Sequence, residues 1–263
     1  MSREDNIRTA KETIAITKAG RYSVNGKEVF IGERKFSDVL VIKPEENIAI
    51  NGEMEGKANY KYANADTFEA ARAYCKNPLV LNFASAKYPG GGFEKGASAQ
   101  EEALCRASTL YASLSTKEAF EMYDYNRNHN LPCYSDYMLL SKNVAVFRNS
   151  SGALLREPFE CGVITVPAPN RSGPARNVPH EELDRIAVNR LRKVFAVAVN
   201  NGYKDIVLGA WGCGVFANKA EDVAGYFHTL LVDEGFEKYF NTIVFAVFRD
   251  NDKLKAFQNA FGK

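Results

Sequence analysis

The sequence predicts an α/β layered fold whose sheet is largely parallel and covered by helices on both faces. Three observations predict it: short apolar runs that read as buried strands, longer amphipathic segments between them, and glycine-rich loops where strands give way to helices. A chain of 263 residues is long enough for one large domain or two small ones without staples. Its 34 Lys and Arg nearly balance 32 Asp and Glu, for a formal charge of +2, and 46% of residues are hydrophobic. That balance excludes an acidic disordered protein and a broad basic surface for non-specific nucleic-acid binding.

Residues 5–19 place Ile7, Ala10, Ile14 and Ala15 near helical spacing. Val29–Ile31 and Asp38–Ile42 read as strands bounded by Gly-containing turns, and Thr67 to Tyr74 as a short helix. This mixed first quarter is read as an N-terminal α/β extension, residues 1–75, packed on a core of residues 76–263. From Pro78 the texture changes. The apolar run 79–84 leads into a Gly-rich loop and then a helix from about Gln100 to Leu114, with Ala103, Leu104, Ala107, Leu110, Tyr111 and Leu114 in its 3.6-residue period and Ser98 as N-cap. Further strands are read at 143–147, 161–166, 205–210 and 242–248, with amphipathic helices at 181–200 and 217–233. In such a fold, function sits at the carboxyl ends of the strands.

Five dispersed cysteines, odd in number and never in a CxxC, make a poor disulfide framework and a poor zinc site, and imply a reducing compartment. The charged start lacks a signal peptide's apolar core, and the longest apolar runs, such as Ile243 to Phe248, are far short of the ~20 residues a bilayer requires. A cytoplasmic protein with no membrane contact is expected. His129, His180 and His228 are dispersed and read as surface or packing residues rather than metal ligands.

Two Gly-rich loops follow strands and lead into helices: 82–102, with Gly90, Gly91 and Gly92 in succession, and 209–218. Glycine lets peptide N–H groups approach a ligand closely, so such loops favour an anion, and the pair suggests a phosphate-rich ligand held between them. Each alone also serves as an ordinary strand-to-helix turn. Gly212, Gly214 and Ala217 spell G-x-G-x-x-A, as a dinucleotide-binding turn would. The next strand-end acid, Asp250, lies well beyond the ~20 residues expected to a ribose-binding acid, and only one strand follows, which disfavours a nicotinamide oxidoreductase.

Gln100, Glu101 and Glu102 open the helix after the triple glycine. Acidic residues there complement the helix dipole, yet the loop before them would also bring a bound diphosphate and its sugar into their neighbourhood. Adjacent helical residues diverge by about 100°, so one carboxylate is free to hold ribose hydroxyls while the other reaches the glycosidic oxygen. Trp211 reads as core rather than a base-stacking platform, Cys213 as a small buried spacer, and Arg171 and Arg176 as members of a solvated loop.

The stretch Gly90-Gly91-Gly92, seven residues, Gln100-Glu101-Glu102 resembles the GGG…QEE signature of poly(ADP-ribose) glycohydrolases. The longer run NFASAKYPGGG…AQEEALCRASTLY looks like the compact microbial branch of that family, and GAWGCGVFAN resembles its second diphosphate loop. The resemblance implies a three-layer α/β/α macrodomain-like fold with a mixed, largely parallel sheet. It implies exo-type hydrolysis of ribose–ribose bonds, releasing ADP-ribose from poly(ADP-ribose), by a monomer without metal or cofactor. Carried over residue by residue, Glu102 is the acid/base, and Glu101 with Asn82 orients the ribose. Ala84, Ser85, Gly90–Gly92, Gly212, Gly214, Val215 and Phe216 contact substrate, and Gln100 supports the loop. Two alternatives stay open: an ADP-ribose-binding module without turnover, and a hydrolase acting on singly modified protein or nucleic acid.

Overall fold

The computed structural model describes residues 2–262. In chain order the elements are α1 (Arg3–Ala19), β1 (Arg21–Val24), β2 (Lys27–Phe30), β3 (Leu40–Ile42), β4 (Asn59–Ala63), α2 (Thr67–Tyr74) and β5 (Leu79–Phe83). They continue with α3 (Gln100–Ala107), α4 (Leu110–Leu114), α5 (Phe120–Asn128), β6 (Met138–Arg148), β7 (Leu154–Val166), α6 (His180–Asn200), β8 (Asp205–Gly209), α7 (Ala220–His228), β9 (Thr242–Ala246) and α8 (Asn251–Ala260). The described residues form two compact units, and the chain passes from one to the other within β5.

The first unit comprises residues up to Lys43, Asn82–His129 and Tyr137–Val166. Its larger sheet is antiparallel, in the order β3-β6-β7. Helix α1 starts in a capping box: the Ser2 hydroxyl accepts the Asp5 N–H, and the Asp5 carboxylate accepts the Ser2 N–H, both at 3.1 Å. It ends at Gly20, whose φ of 68° suits a left-handed C-cap. Asn25 and Gly26, both at positive φ, join β1 to β2 in a tight hairpin. Ile16, Tyr22 and Ile31 pack on Ala145 and Phe147 of β6, which fixes this segment on the sheet.

The helix expected over 100–114 is two helices. Ser108 is extended and bridges Val146, while Thr109 exchanges hydrogen bonds with Ala145 through its N–H and its hydroxyl, so β6 captures the backbone at the break. The N-cap position is Ala99 rather than Ser98, with no side-chain cap. The strands read at 143–147 and 161–166 are parts of one long antiparallel hairpin, the first beside its turn in β6 and the second at the far end of β7; the turn at Asn149–Gly152 is made by an Asn149 side chain that accepts the Ser151 and Ala153 N–H groups.

The second unit comprises residues 44–81, 130–136 and 167–263, of which all but the last are described. Its strands pair in parallel in the order β5-β8-β9-β4, as buried apolar runs joined through helices require. Phe195 of α6, Phe227 of α7 and Phe245 of β9 are fully buried and meet ring to ring. The helix expected over 217–233 begins only at Ala220, because Ala217 takes a left-handed φ of 56° and closes the preceding loop; after His228 it continues as one π-helical turn to Asp233.

Candidate active site

In the first unit the carboxyl end of β5 delivers Asn82, fully buried, and the chain then loops through Ser85 and Gly90–Gly92 to the start of α3. Four side chains read from the sequence meet here. The Asn82 amide donates to Glu101 Oε1 at 3.3 Å and to Thr165 Oγ1 at 3.1 Å. The Ser85 N–H donates to Glu101 Oε2 at 2.7 Å, and the Gly92 N–H to Glu102 Oε1 at 2.8 Å. Gln100 turns back and accepts the Phe83 N–H at 2.9 Å, tying the helix start to the strand end. Ala84 is fully buried, and its N–H is taken by the Val166 carbonyl at 3.3 Å.

The two carboxylates leave the helix in different directions yet converge on Gly91. A Cβ at Gly91 would lie 2.5 Å from Glu102 Oε1 and 3.1 Å from Glu101 Oε2, and the residue's φ of 58° is itself one that side chains resist. A Cβ at Gly90 would lie 2.9 Å from the Tyr111 ring, and one at Gly92 2.7 Å from Ala97 Cβ. The triple glycine is therefore required sterically, because the backbone lies directly on the glutamates and their neighbours.

Both glutamates are buried, but they are differently engaged. Glu101 has both oxygens hydrogen-bonded, whereas Glu102 Oε2 is buried with no partner in the protein. Burial pushes the Glu101 carboxyl up to about 8, with the Glu102 charge adding to the shift and the Ser85 N–H opposing it. Arg106, one turn along α3 from Glu102, is buried, and its guanidinium donates to the Ala97 carbonyl at 2.5 Å. The N-terminal helix braces this loop from outside: Arg3 donates to the Lys95 carbonyl, Asn6 to the Gly96 carbonyl, and Thr13 to the Arg106 carbonyl. Thr165 and these braces carry no motif in the sequence, and Arg106 is assigned no role by the sequence although it lies in the run that begins at Gln100.

In the second unit the loop 209–218 follows β8. Gly212 has a φ of 73°, and a Cβ there would lie 2.4 Å from the Asn218 amide and 2.6 Å from Ala168 Cβ. Asn218 donates to the Pro169 and Gly212 carbonyls, fixing the loop's base. Its tip is held from the 170–172 turn: the Arg171 N–H donates to the Phe216 carbonyl at 2.9 Å, and the Ser172 hydroxyl to the Val215 carbonyl at 2.6 Å. The N–H groups of Gly212, Gly214, Val215 and Phe216 donate to no acceptor among the described residues. Four N–H groups without an acceptor on a fixed loop are donors available to an anion.

Phe216 lies against Tyr134, ring centroids 6.2 Å apart, and Tyr134 holds a left-handed φ of 59°. Buried Arg190 fixes that segment, donating to Asp136, to the Cys133 and Tyr134 carbonyls, and to the Pro167 carbonyl. Neither Tyr134 nor Arg190 was legible as a site residue; an arginine inside an apolar helix face was the only signal. Arg171 is not solvated but largely buried, paired with Asp222 at 3.1 Å. Trp211 is core, and Cys213 is buried, its thiol pushed up to about 12 by that burial.

The family model for the microbial-type PARG catalytic domain matches residues 10–149. Among solved structures, poly(ADP-ribose) glycohydrolase from Thermomonospora curvata is 36% identical, with a TM-score of 0.90 over 98% of this chain and 100% of that one. The same enzyme bound to the inhibitor ADP-HPD gives 36% identity and a TM-score of 0.87, covering 97% and 99% of the two chains. Poly(ADP-ribose) glycohydrolase from Deinococcus radiodurans in complex with ADP-ribose gives 36% identity and a TM-score of 0.76, covering 86% of this chain and 94% of that one. No curated protein sequence matches the chain.

Proposed function

The chain belongs to the microbial-type poly(ADP-ribose) glycohydrolases, and from that premise we propose that it releases ADP-ribose from the ends of poly(ADP-ribose) with Glu102 as acid/base. The observation that carries the assignment is the unequal engagement of the two buried carboxylates. Glu101 is saturated by Asn82 and Ser85, which suits a group that orients a sugar, while Glu102 keeps one oxygen without a protein partner.

Cleavage of the ribose–ribose bond passes through an oxocarbenium-like state. Glu102, protonated, gives its proton to the departing ribose oxygen as the C–O bond breaks. As carboxylate it then takes a proton from a water whose oxygen bonds to the anomeric carbon. One water is consumed and the acid is regenerated. Burial pushes the Glu101 carboxyl up to about 8, which favours its neutral form beside Glu102. The four free N–H groups of the 212–216 loop are the donors proposed for phosphate oxygens. Phe216, held by Arg171 and Tyr134, shapes the sugar position.

A module that only bound ADP-ribose would need the phosphate-binding loops but not two buried carboxylates, whose desolvation costs free energy without a function to offset it. The test is Glu102→Gln assayed with polymer and with singly modified protein. Hydrolysis is expected to vanish while ADP-ribose binding stays within a few-fold of wild type. Full residual hydrolysis would remove Glu102 from the mechanism, and release only from singly modified protein would move the substrate assignment.

A further inference from the structure

Outside the catalytic loops, the first unit contains a cavity of about 620 Å³ between the end of α1, the strand β2 and the segment after it. That is within the range that small-ligand sites occupy, roughly 300–1,000 Å³. Its walls include Lys18, Arg21, Arg34, Phe30, Thr109 and a single carboxylate, Glu33. Arg34 is the telling residue. Its side chain is only 10% exposed; one end is held by Glu160 at 2.5 Å, yet its Nε–H is buried with no acceptor. A guanidinium N–H removed from water without a partner is costly, and a small turn of the Arg34 side chain toward the cavity it lines would bring that N–H within reach of a ligand oxygen.

The neighbouring groups narrow the ligand. Lys18 has no carboxylate partner among the described residues, whereas Arg21 is paired with Glu28 at 3.2 Å. Phe30 stands 63% exposed at the rim, offering a flat apolar face. An ammonium, a guanidinium edge and an open aromatic ring together fit a phosphate followed by a base, the combination that single-stranded nucleotide polymers engage. The glutamates Glu28, Glu33 and Glu160 offset much of the local positive charge, so a free phosphate gains little, and the ring contact is needed for a hold.

We propose that this cavity is a second binding site for a nucleotide unit of the substrate polymer, away from the bond being cut. The proposal rests on the glycohydrolase reading. Thr109 in the cavity wall comes seven residues after Glu102, which opens α3, so the cavity lies toward the opposite end of that helix from the carboxylates. Units of a long chain beyond the one engaged at Glu102 would gain a tethered second contact, raising the apparent affinity for long polymer and leaving short substrates unaffected.

The test uses the whole protein and two exposed substitutions that spare the catalytic loops, Lys18→Glu and Phe30→Ala, separately and together. KM and kcat are measured on long poly(ADP-ribose) and on a two-unit fragment. The double variant is expected to raise KM for long polymer about three- to tenfold, with kcat on both substrates and KM for the fragment unchanged. Unchanged KM on long polymer, with wild type active, overturns the second site. Equal loss on both substrates overturns it too, since it would signal damage to the fold or the catalytic loop. Wild type that releases nothing from either substrate overturns the glycohydrolase reading instead. Single-stranded RNA serves as competitor: failure to displace long polymer at equal charge supports the assignment, and preferential binding of RNA that the double variant abolishes overturns it.

Discussion

Gly91→Ala provides the sharpest test of how the triple glycine acts. The new Cβ would sit 2.5 Å from Glu102 Oε1, where an ordinary contact needs roughly 1 Å more, so the carboxylate or the loop must move by about that distance. A displacement of ~1 Å at a reacting group is sufficient for a loss of about 100-fold in kcat. The left-handed φ adds ~1–2 kcal/mol of backbone strain, and overpacking a further ~1–3 kcal/mol. At ~2–4 °C per kcal/mol for a chain of this size, the combined ~2–5 kcal/mol should lower the melting temperature by about 4–20 °C. Gly202→Ala separates strain from clash, because Gly202 has a φ of 75° but nothing within 4 Å of its Cβ position. It should lose only ~1 kcal/mol of stability and no activity. Turnover of polymer and thermal melting, measured on both variants, check this. Wild-type kcat in Gly91→Ala would show that the glutamates tolerate displacement and that the glycines serve only as a turn.

Further outcomes follow from the electrostatics and the buried arginine. With the Glu101 carboxyl raised to about 8, the native state keeps a proton that the unfolded chain has released above about 4.3, so stability should decline as pH rises across that window and level off beyond it. Glu101→Gln should flatten that slope, read as melting temperature between pH 5 and 9; an unchanged slope refutes the assignment of the buried proton. Arg190→Met removes the donor to Asp136 and three carbonyls, and should cost about 3–5 kcal/mol in unfolding experiments, with weaker ADP-ribose binding as Tyr134 loosens against Phe216. Cys213, its thiol pushed up to about 12, should resist alkylation at pH 8 with no loss of activity; rapid labelling would show that the loop opens.

The first-unit part of the candidate site was legible because its residues are local in sequence. Asn82, Gly90–Gly92 and Gln100–Glu102 lie within 21 residues of one another, and a strand, a glycine loop and a helix start are each written in residue type. What was not legible came from distant captures of the backbone. Ser108 and Thr109 sit in an unbroken helical pattern, and only pairing with Val146 and Ala145 of β6 splits it. Likewise β7 hides its first half, because Leu154 to Glu160 is half exposed and lacks the apolar run that marks a buried strand. The turn at Asn149–Gly152 was the readable signal, and Asn149 makes it work.

The same distinction explains how a chain of net charge +2 would suit the polyanionic substrate proposed for it. Arginines are present near the candidate loops, but they are used structurally: Arg106 on the Ala97 carbonyl, Arg171 on Asp222, and Arg190 on Asp136 and three carbonyls. Each has its charge engaged inside the protein, on carbonyls or on a carboxylate, rather than in solvent. The groups proposed to face the anion are instead peptide N–H donors, which cost nothing in net charge and require only that the loop be held in one conformation. Fixing the 212–216 loop from Asn218, Arg171 and Ser172 meets that requirement, and fixing the 90–92 loop on two carboxylates meets it for the groups proposed to carry the reaction.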